Sequence, residues 1–436
     1  MNSKKWSALA LICLLLTVVL AACSGGNSGK SGTASGSPSP GTGTGASTAK
    51  PGEKVTLTFW KAPHFANEKD VWSTIIQKFE AANPNIHIEF LETPWDSWDQ
   101  KYTAAFAGGS PPDVSYMPEY FVKFAKNGQL ADLATYFTSA EQAKYSKSVI
   151  DYMRINGKIY TMPFVAASSI ILYNKDLFKE ANVQPPQTWQ EMIDVSQKLT
   201  KDGRYAIGGI SEQNVIAWMG QAGAYLYADQ NKDITKLGFN TPEGQKGLQY
   251  LTDLVVKYKV APKPTVFPND DQLGQAFYKD NKIAMIMAQA GFISTVRTNA
   301  PNFPLGAFLN PAGPATDAAK QREAYGGLGM LAIAEKSKHK DEAWKFISFV
   351  TSKENAKLYL EKANFLSPLP EANDSMYAGD EVMDVVKKSI QTLQLYPPND
   401  RFSKAFDIVR NMRDAALLEA KSPAQALKDA VNEYAN

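Results

Sequence analysis

Cysteine is almost absent from this chain, which has only Cys13 and Cys23 in 436 residues. Cys13 lies in an N-terminal apolar segment with the features of a cleaved signal, so the mature chain keeps no cysteine pair. A disulfide framework is therefore excluded, and a buried apolar core must stabilise the fold. Histidine is also scarce: His64, His87 and His339 lie far apart and in no metal-ligand spacing. We therefore expect no metal site.

A surplus of charge of either sign is also missing. The chain has 46 basic and 44 acidic side chains, a balance that gives no electrostatic reason to expect a nucleic-acid partner or a strongly acidic substrate. Three motifs that mark cofactor or covalent chemistry are absent as well: a Gly-rich phosphate loop, a G-x-S-x-G elbow and a Cys/His couple. We expect no cofactor and no catalytic residues.

The N-terminal apolar run, from Ala8 to Leu20, is too short to span a bilayer, which needs about 20 residues. Lysines precede the run and small residues follow it, a pattern typical of a secretory signal over residues 1–22. The segment Leu20-Ala-Ala-Cys23 resembles a bacterial lipoprotein lipobox. This resemblance implies that Cys23 receives a diacylglyceryl group and becomes the mature N-terminus. The alternative is an ordinary signal peptide followed by a chance cysteine.

Residues 23–53 consist almost entirely of Gly, Ser, Thr, Ala and Pro. Such a segment cannot bury apolar area, so we predict a flexible linker, with an r.m.s. reach on the order of 30 Å. Together with the lipobox, this linker predicts a protein that is lipid-anchored to the extracellular face of the cell membrane.

From Val55 onward, apolar residues alternate between strand and helix periods. Residues 55–60 and 86–90 show the period of two that is typical of strands, and residues 71–79 show one helical face. Capping boxes at Thr188 and Ser422 and a Thr241-Pro242 pair predict helix starts. This order predicts α/β layers with mainly parallel sheets. The length exceeds what one core usually serves, so we expect two lobes.

Several segments, in this order, resemble the extracellular solute-binding proteins of ABC importers, in the carbohydrate-binding family that includes maltose-binding protein. They are Phe79–Ile88, Gly109–Val114, Gly128–Leu133, Gly157–Pro163, Leu172–Phe178, Pro185–Trp189, Lys282–Met285 and Ala343–Ile347. The resemblance implies a two-lobed periplasmic-binding-protein-like fold, each lobe a mainly parallel sheet flanked by helices, with a ligand cleft between the lobes. Lobe 1 is expected over residues 54–165 plus about 290–365, and lobe 2 over about 166–289 plus 366–436.

The resemblance also implies a function: a monomer that captures a carbohydrate by lobe closure and delivers it to an ABC permease. The family's sugar contacts come from loops at strand ends, where open α/β sheets generally bind ligands. Matching segments and aromatic or planar polar character select the candidate ligand-binding residues Trp60, Lys61, His64, Trp95, Asp96, Glu119, Tyr120, Glu212, Gln213, Trp218, Phe292, Tyr325, Gly326, Arg401, Phe402 and Phe406.

Some of these assignments have alternatives that the sequence leaves open. His64 is either a hydroxyl-binding residue or a surface loop histidine, and Trp218 either stacks on a sugar or packs in the core. Many family members carry a tryptophan where this chain has Gly291, so the stacking platform is shifted to Phe292 or lost.

Two alternative functions also remain at this stage. An extracellular glycan-active enzyme would need two carboxylates across the scissile bond, and Glu119 and Glu212 are the candidates. A receptor of the same fold could instead bind a non-sugar, such as a phosphorylated polyol or a peptide. For a phosphate, the candidate site offers only Lys61 and Arg401 as cations.

Overall fold

The computed structural model describes residues 54–65 and 67–436. The predicted signal peptide, Cys23 and the linker over residues 23–53 lie outside this range. The strands are β1 Val55–Lys61, β2 Ile86–Glu92, β3 Val114–Met117, β4 Arg154–Ile155, β5 Lys158–Ile159, β6 Thr161–Asn174, β7 Tyr205–Gly208, β8 Asp233–Leu237, β9 Ile283–Gln289, β10 Leu305–Phe308, β11 Ala324–Ile333 and β12 Leu393–Gln394.

Helices separate most of these strands, which confirms the α/β class. The α-helices are α1 Glu68–Ala82, α2 Trp95–Ala107, α3 Phe121–Lys126, α4 Ser139–Gln142, α5 Lys147–Met153, α6 Lys175–Glu180, α7 Trp189–Leu199, α8 Glu212–Gln221, α9 Ala228–Asn231, α10 Pro242–Val255, α11 Asp270–Tyr278, α12 Phe292–Asn299, α13 Lys340–Thr351, α14 Lys353–Ala363, α15 Glu381–Ser389, α16 Phe402–Leu417 and α17 Pro423–Ala435. Short 3₁₀ helices cover Pro370–Ala372 and Ile390–Thr392.

Helix starts follow the predicted capping residues. The hydroxyl of Thr188 accepts a hydrogen bond from the backbone N–H of Glu191 at the start of α7, and Ser422 does the same for Gln425 at the start of α17. At α10, Thr241 caps the helix and Pro242 is its first residue. Each cap satisfies a backbone donor that the first helical turn leaves without a partner, and this is why the sequence fixes these starts.

Nine of these strands form one extended sheet in the order β2-β1-β3-β11-β6-β9-β7, with β10 paired to β6 and β12 to β11, and β4 and β5 pair as a separate two-stranded sheet. The pairs β1–β2, β1–β3 and β7–β9 are parallel, whereas β11 runs antiparallel between β3 and β6. Strand β6 is 14 residues long. Its first part pairs with β11, and its second part pairs with β9 and β10.

Two hydrophobic clusters form the core. The first is built mainly from residues 55–170 and 328–386 and contains Phe59 and Trp72, and the second is built mainly from residues 171–285 and 396–434 and contains Trp218 and Leu251. Strand β6 contributes Ile170 to the first cluster and Ile171 to the second. It therefore runs from one core into the other.

Among residues 54–65 and 67–436, no helix has the length and apolar character that crossing a membrane requires.

Candidate functional site

A cavity of about 1200 Å³ lies where several strands end. Its wall contains residues that follow the carboxyl ends of β2, β3 and β7, together with a proline-rich segment before α11 and one face of α16. Carboxyl ends of parallel strands are the usual ligand sites of α/β sheets. The wall is formed by Trp95, Asp96, Trp98, Asp99, Tyr120, residues 208–213, residues 262–264, residues 267–271, Leu273, Ser403, Phe406, Asp407, Arg410, Arg413 and Leu417.

The backbone conformation at Gly209 shapes the wall after β7. Gly209 has φ +82°, and a Cβ atom there would lie 2.3 Å from the carbonyl oxygen of Met287. Only glycine accommodates both the left-handed conformation and this close approach to β9. The turn leads directly into Ser211, whose hydroxyl caps α8, and so brings Glu212 and Gln213 to the cavity.

The six predicted residues that line the cavity are Trp95, Asp96, Tyr120, Glu212, Gln213 and Phe406. Trp95 is the most exposed of the aromatic ones, with 40% of its surface accessible. Its indole Nε1 donates a hydrogen bond to the carbonyl oxygen of Pro63 at 2.7 Å, and its ring lies 5.5 Å from that of His64. Trp95 is therefore held from behind while one face remains open.

A row of neighbouring aromatic rings along the cavity wall connects the first hydrophobic cluster with the second. Tyr120 lies 5.7 Å from Trp98 on one side and 6.2 Å from Phe402 on the other, and Phe402 lies 4.9 Å from Phe406. Trp98 is only 1% exposed, and its Nε1 has no hydrogen-bond partner among residues 54–65 and 67–436.

Glu212 is held by two arginines on α16. Its Oε1 accepts from Arg410 at 3.0 Å and its Oε2 from Arg413 at 3.1 Å. Arg410 also pairs with Asp407 at 2.9 Å. Arg410 and Arg413 are three residues apart on one helix face, so one carboxylate can reach both.

The other predicted residues do not line the cavity: Trp60, Lys61, His64, Glu119, Trp218, Phe292, Tyr325, Gly326, Arg401 and Phe402. Lys61 is buried beside the first cluster, and His64 is half-buried there. Lys61 is completely buried and pairs with Glu68, and the Nδ1 atom of His64 lies 2.7 Å from the hydroxyl of Tyr359. Burial lowers the pKa of Lys61 and holds the pKa of His64 well below its usual range. The Nζ atom of Lys61 and the Nδ1 atom of His64 are therefore both engaged within the protein.

Aromatic packing accounts for three more of them. Trp60 is half-buried against Tyr102. Trp218 is fully buried and stacks 5.6 Å from Trp189 and 5.4 Å from Tyr250, so the core interpretation holds for this tryptophan. Phe292 packs against Phe277 and Tyr278. These rings stabilise the two cores and do not line the cavity.

The position of Gly291 explains the departure from the usual tryptophan. A Cβ atom at Gly291 would lie 2.6 Å from the ring of Phe365, and the backbone there is ordinary, with φ −57°. Phe365 therefore occupies the space into which a side chain at this position would project. The predicted aromatic residues that line the cavity come from other elements: Trp95, Tyr120 and Phe406.

Glu119 and Tyr325 form a buried pair behind the cavity. The hydroxyl of Tyr325 donates to Glu119 Oε1 at 2.9 Å, and burial raises the pKa of Glu119 above its ordinary value. The adjacent Gly326 packs against Ala167 and Leu393. Arg401 donates to the backbone oxygen of Tyr434. Phe402 supports Tyr120 and Phe406 from behind the wall.

Several wall residues were not predicted from sequence: Asp99, Lys263, Phe267, Asp270, Asp271, Asp407, Arg410 and Arg413. Asp407, Arg410 and Arg413 follow one another at intervals of three residues. This helical spacing could have identified a charged face on α16. Three prolines, at positions 262, 264 and 268, indicate a loop directly before the acidic first turn of α11. Among residues 54–65 and 67–436, no group of three or more His, Cys, Asp and Glu side chains could hold a metal ion.

Residues 65–357 match the family of bacterial extracellular solute-binding proteins. The chain belongs to this family. Among its relatives are a maltotriose-binding protein of Pyrococcus abyssi, 23% identical over 81% of this chain and 76% of the relative, and an sn-glycerol-3-phosphate-binding periplasmic protein of Shigella flexneri, 26% identical over 71% of this chain and 74% of the relative.

A solved structure with the same fold is that of an ABC transporter solute-binding protein from Thermotoga lettingae bound with α-D-tagatose. It has a TM-score of 0.78 and 23% identity, over 88% of this chain and 99% of that one. The likeness confirms the predicted two-lobed solute-binding fold.

Proposed function

We propose that this protein captures a carbohydrate in the cavity and delivers it to an ABC permease, without covalent chemistry. The observation that carries the proposal is the composition of the cavity wall. Trp95, Tyr120 and Phe406 offer aromatic rings to the apolar faces of a sugar, and Asp96, Glu212 and Gln213 offer planar polar groups to its hydroxyls. Apolar walls with a few placed polar groups are typical of small-molecule sites.

The two cores support a closure mechanism. We propose that each hydrophobic cluster is the centre of one lobe and that the lobes close around the ligand by hinge motion. The first lobe then comprises residues 54–165 and a later stretch that extends past residue 365 to about residue 386, because Met383 and Val386 belong to the first cluster. The second lobe comprises about residues 166–289 and 396–436. A closed cavity would select its ligand because unmatched polar groups are costly once water is excluded.

The charged residues favour a carbohydrate over a phosphorylated polyol. Each of the three cations in the cavity wall is paired with a carboxylate: Lys263 with Glu419, Arg410 with Glu212, and Arg413 with Glu212. An anionic ligand would have to displace these carboxylates. Lys61 and Arg401, the cations that a phosphate site could have used, are engaged elsewhere.

The same geometry favours a receptor over a glycan-active enzyme. Glu119 lies outside the cavity wall and is hydrogen-bonded to Tyr325, and Glu212 is bound by two arginines. The two carboxylates are therefore poorly placed to act together on a glycosidic bond in the cavity. A ligand incubated with the protein should be recovered chemically unchanged.

The remaining part of the proposal rests on the N-terminal sequence. The lipobox motif supports attachment of a diacylglyceryl group to Cys23, and the linker supports a globule held near the extracellular face of the membrane. We propose that it acts there as a monomer.

Titration calorimetry with neutral mono- and oligosaccharides tests the proposal. Trp95→Ala should weaken binding of the best ligand by about 1–3 kcal/mol, or roughly 5- to 150-fold, because it removes an exposed stacking face. Trp218→Phe is the matched control: it should lower the melting temperature and leave affinity unchanged, because Trp218 only packs in the core. If no saccharide binds to the wild type, or if both variants bind it equally well, the proposed carbohydrate site is wrong.

A further inference from the structure

Trp95, the most exposed aromatic residue of the cavity wall, is held by residues that lie outside the wall. Its indole Nε1 donates to the carbonyl oxygen of Pro63 at 2.7 Å, and its ring neighbours that of His64 at 5.5 Å, with 30° between the two planes. Pro63 and His64 belong to the loop over residues 62–65, which follows β1 and is called the β1–α1 loop below. The orientation of Trp95 therefore depends on this loop.

A buried carboxylate fixes the β1–α1 loop. Glu68, the first residue of α1, is 1% exposed, and its Oε2 accepts a hydrogen bond from the backbone N–H of His64 at 2.6 Å. Its Oε1 pairs with Lys61 and accepts from the indole N–H of Trp72 at 2.8 Å. The chain is thus tied to one group in the core both before the loop, through Lys61, and within it, through His64.

The ring of His64 is restrained as well as its backbone. Its Nδ1 lies 2.7 Å from the hydroxyl of Tyr359 and 3.2 Å from Nζ of Lys61. The rings of Tyr116 and Phe365 pack edge-on against it, each at 5.0 Å, a favourable arrangement for aromatic groups. These contacts hold the imidazole beside the indole that faces the cavity.

Stability alone does not explain this network. A buried ion pair such as Lys61–Glu68 is weak evidence for a stability role, because apolar side chains of similar volume often serve a core equally well. The network is explained if the residue that the loop supports must stay in place. Resting on the proposed carbohydrate-binding function, we infer that His64 is a positioning residue, which holds Trp95 ready to stack on the ligand and does not contact the ligand itself.

The benefit to binding comes from order that exists before the ligand arrives. An exposed side chain that rotates in the free protein loses this freedom when a ligand packs on it, and the loss weakens binding. Trp95 has less freedom to lose, because a hydrogen bond and a neighbouring ring already restrain it. The ring of His64 should therefore strengthen binding by about threefold to tenfold, the scale of ordering one side chain.

A double-mutant cycle in ligand affinity tests the inference. His64→Leu removes the ring and the hydrogen-bond acceptor, whereas His64→Asn removes the ring and keeps an acceptor. Each should weaken binding of the best saccharide by about threefold to tenfold in titration calorimetry. In a Trp95→Ala background the same changes should weaken binding by less than about twofold, because no indole is left to position.

Phe349→Leu is the matched control for lost aromatic packing. Phe349 is a half-buried ring of α13 that packs 5.4 Å from Phe79 beside the first cluster, outside the cavity wall. The variant should lower the melting temperature and leave ligand affinity unchanged. A loss of affinity that merely follows a loss of stability would appear in this control too.

Fluorine NMR of the ligand-free protein, labelled with 5-fluorotryptophan, reports on the positioning directly. The resonance of Trp95 is assigned from its absence in Trp95→Phe. It should change in position or width in His64→Asn and stay unchanged in Phe349→Leu.

The outcomes separate the inference from the function on which it rests. The inference is overturned, while carbohydrate binding stands, if His64→Asn costs no affinity, if it costs as much without the indole of Trp95 as with it, or if the Trp95 resonance is unaffected. If the wild type binds no saccharide, the proposed function has failed, and the fluorine spectrum still decides whether His64 restrains Trp95.

Discussion

The hydroxyl of Tyr325 donates a hydrogen bond to Oε1 of Glu119 at 2.9 Å, and this hydrogen bond connects the two hydrophobic clusters. Tyr325 belongs to the second hydrophobic cluster, whereas Glu119 follows β3, whose residues pack in the first. The ring of Tyr325 also stacks 5.7 Å from that of Tyr396. A buried carboxyl group at this junction makes the stability of the molecule sensitive to pH.

Glu119→Gln should change the pH dependence of unfolding. The pKa of Glu119 is raised in the folded protein, so the folded state binds its proton more tightly than the unfolded state, and the resulting stabilisation is lost as the pH rises above the ordinary value of 4.5. Glutamine does not titrate and can still accept from Tyr325. Measured by urea denaturation, the variant should gain stability relative to the wild type as the pH rises above 4.5. Parallel stability curves for the two proteins would contradict this expectation.

Lys61 and Glu68 should behave as a strongly coupled pair, because both are almost completely buried. Lys61→Met leaves the carboxylate without its counter-charge and should lower the free energy of unfolding by about 3–5 kcal/mol. Adding Glu68→Gln should restore part of this loss, with a coupling energy of about 0.5–3 kcal/mol. Chemical denaturation of the two single variants and the double variant measures the coupling. Strictly additive losses would show that the two side chains act independently.

Gly291→Ala should destabilise the fold by about 1–3 kcal/mol through overpacking, since the new methyl group would meet the ring of Phe365 at 2.6 Å. The backbone at Gly291 suits any residue, so the effect is purely steric. Combining Gly291→Ala with Phe365→Leu should cost less than the sum of the two single changes. Thermal unfolding of the three variants tests this, and a stable Gly291→Ala variant would show that Phe365 can move aside.

Cys23→Ser should release the protein from the membrane without changing ligand affinity. The diacyl group that the lipobox implies supplies two chains, enough for stable anchoring, and serine cannot accept it. Fractionation of cells that express the wild type and the variant, followed by calorimetry of the released form, checks both parts. Recovery of the variant wholly in washed membranes would exclude lipid anchoring through Cys23.

Much of the fold could be predicted because it depends on local signals. Thr188 and Ser422 cap the helices that the sequence assigns to them, and the alternation in residues 55–60 is the buried pattern of β1. Part of the candidate site was also predictable, because Asp96, Tyr120 and Glu212 follow the ends of strands in sequence. Such positions are fixed by topology and not by distant contacts.

The remainder depends on contacts between distant segments. Lys61 ends β1 and His64 follows it, yet both contact Tyr359, which lies 295 residues beyond His64. Conversely, Arg410 and Arg413 reach the cavity only because α16 packs beside α8, about 200 residues earlier in the chain. The spacing of Arg410 and Arg413 indicates a charged helix face, but the local sequence does not show which distant segment packs against that face or against Lys61 and His64.

The path of β6 and β11 has a consequence for how the chain acquires its structure. Strand β11, at Ala324–Ile333, fills the gap in the sheet between β3 and β6. Once β6 has been made, the edges of β3 and β6 that β11 joins stay unpaired until the chain has grown from Asn174 to Ala324 and beyond. Such long-range pairing is slow and leaves a growing chain prone to aggregation. The native pairing of β3 and β6 within the sheet is therefore completed only after β11 has been synthesised.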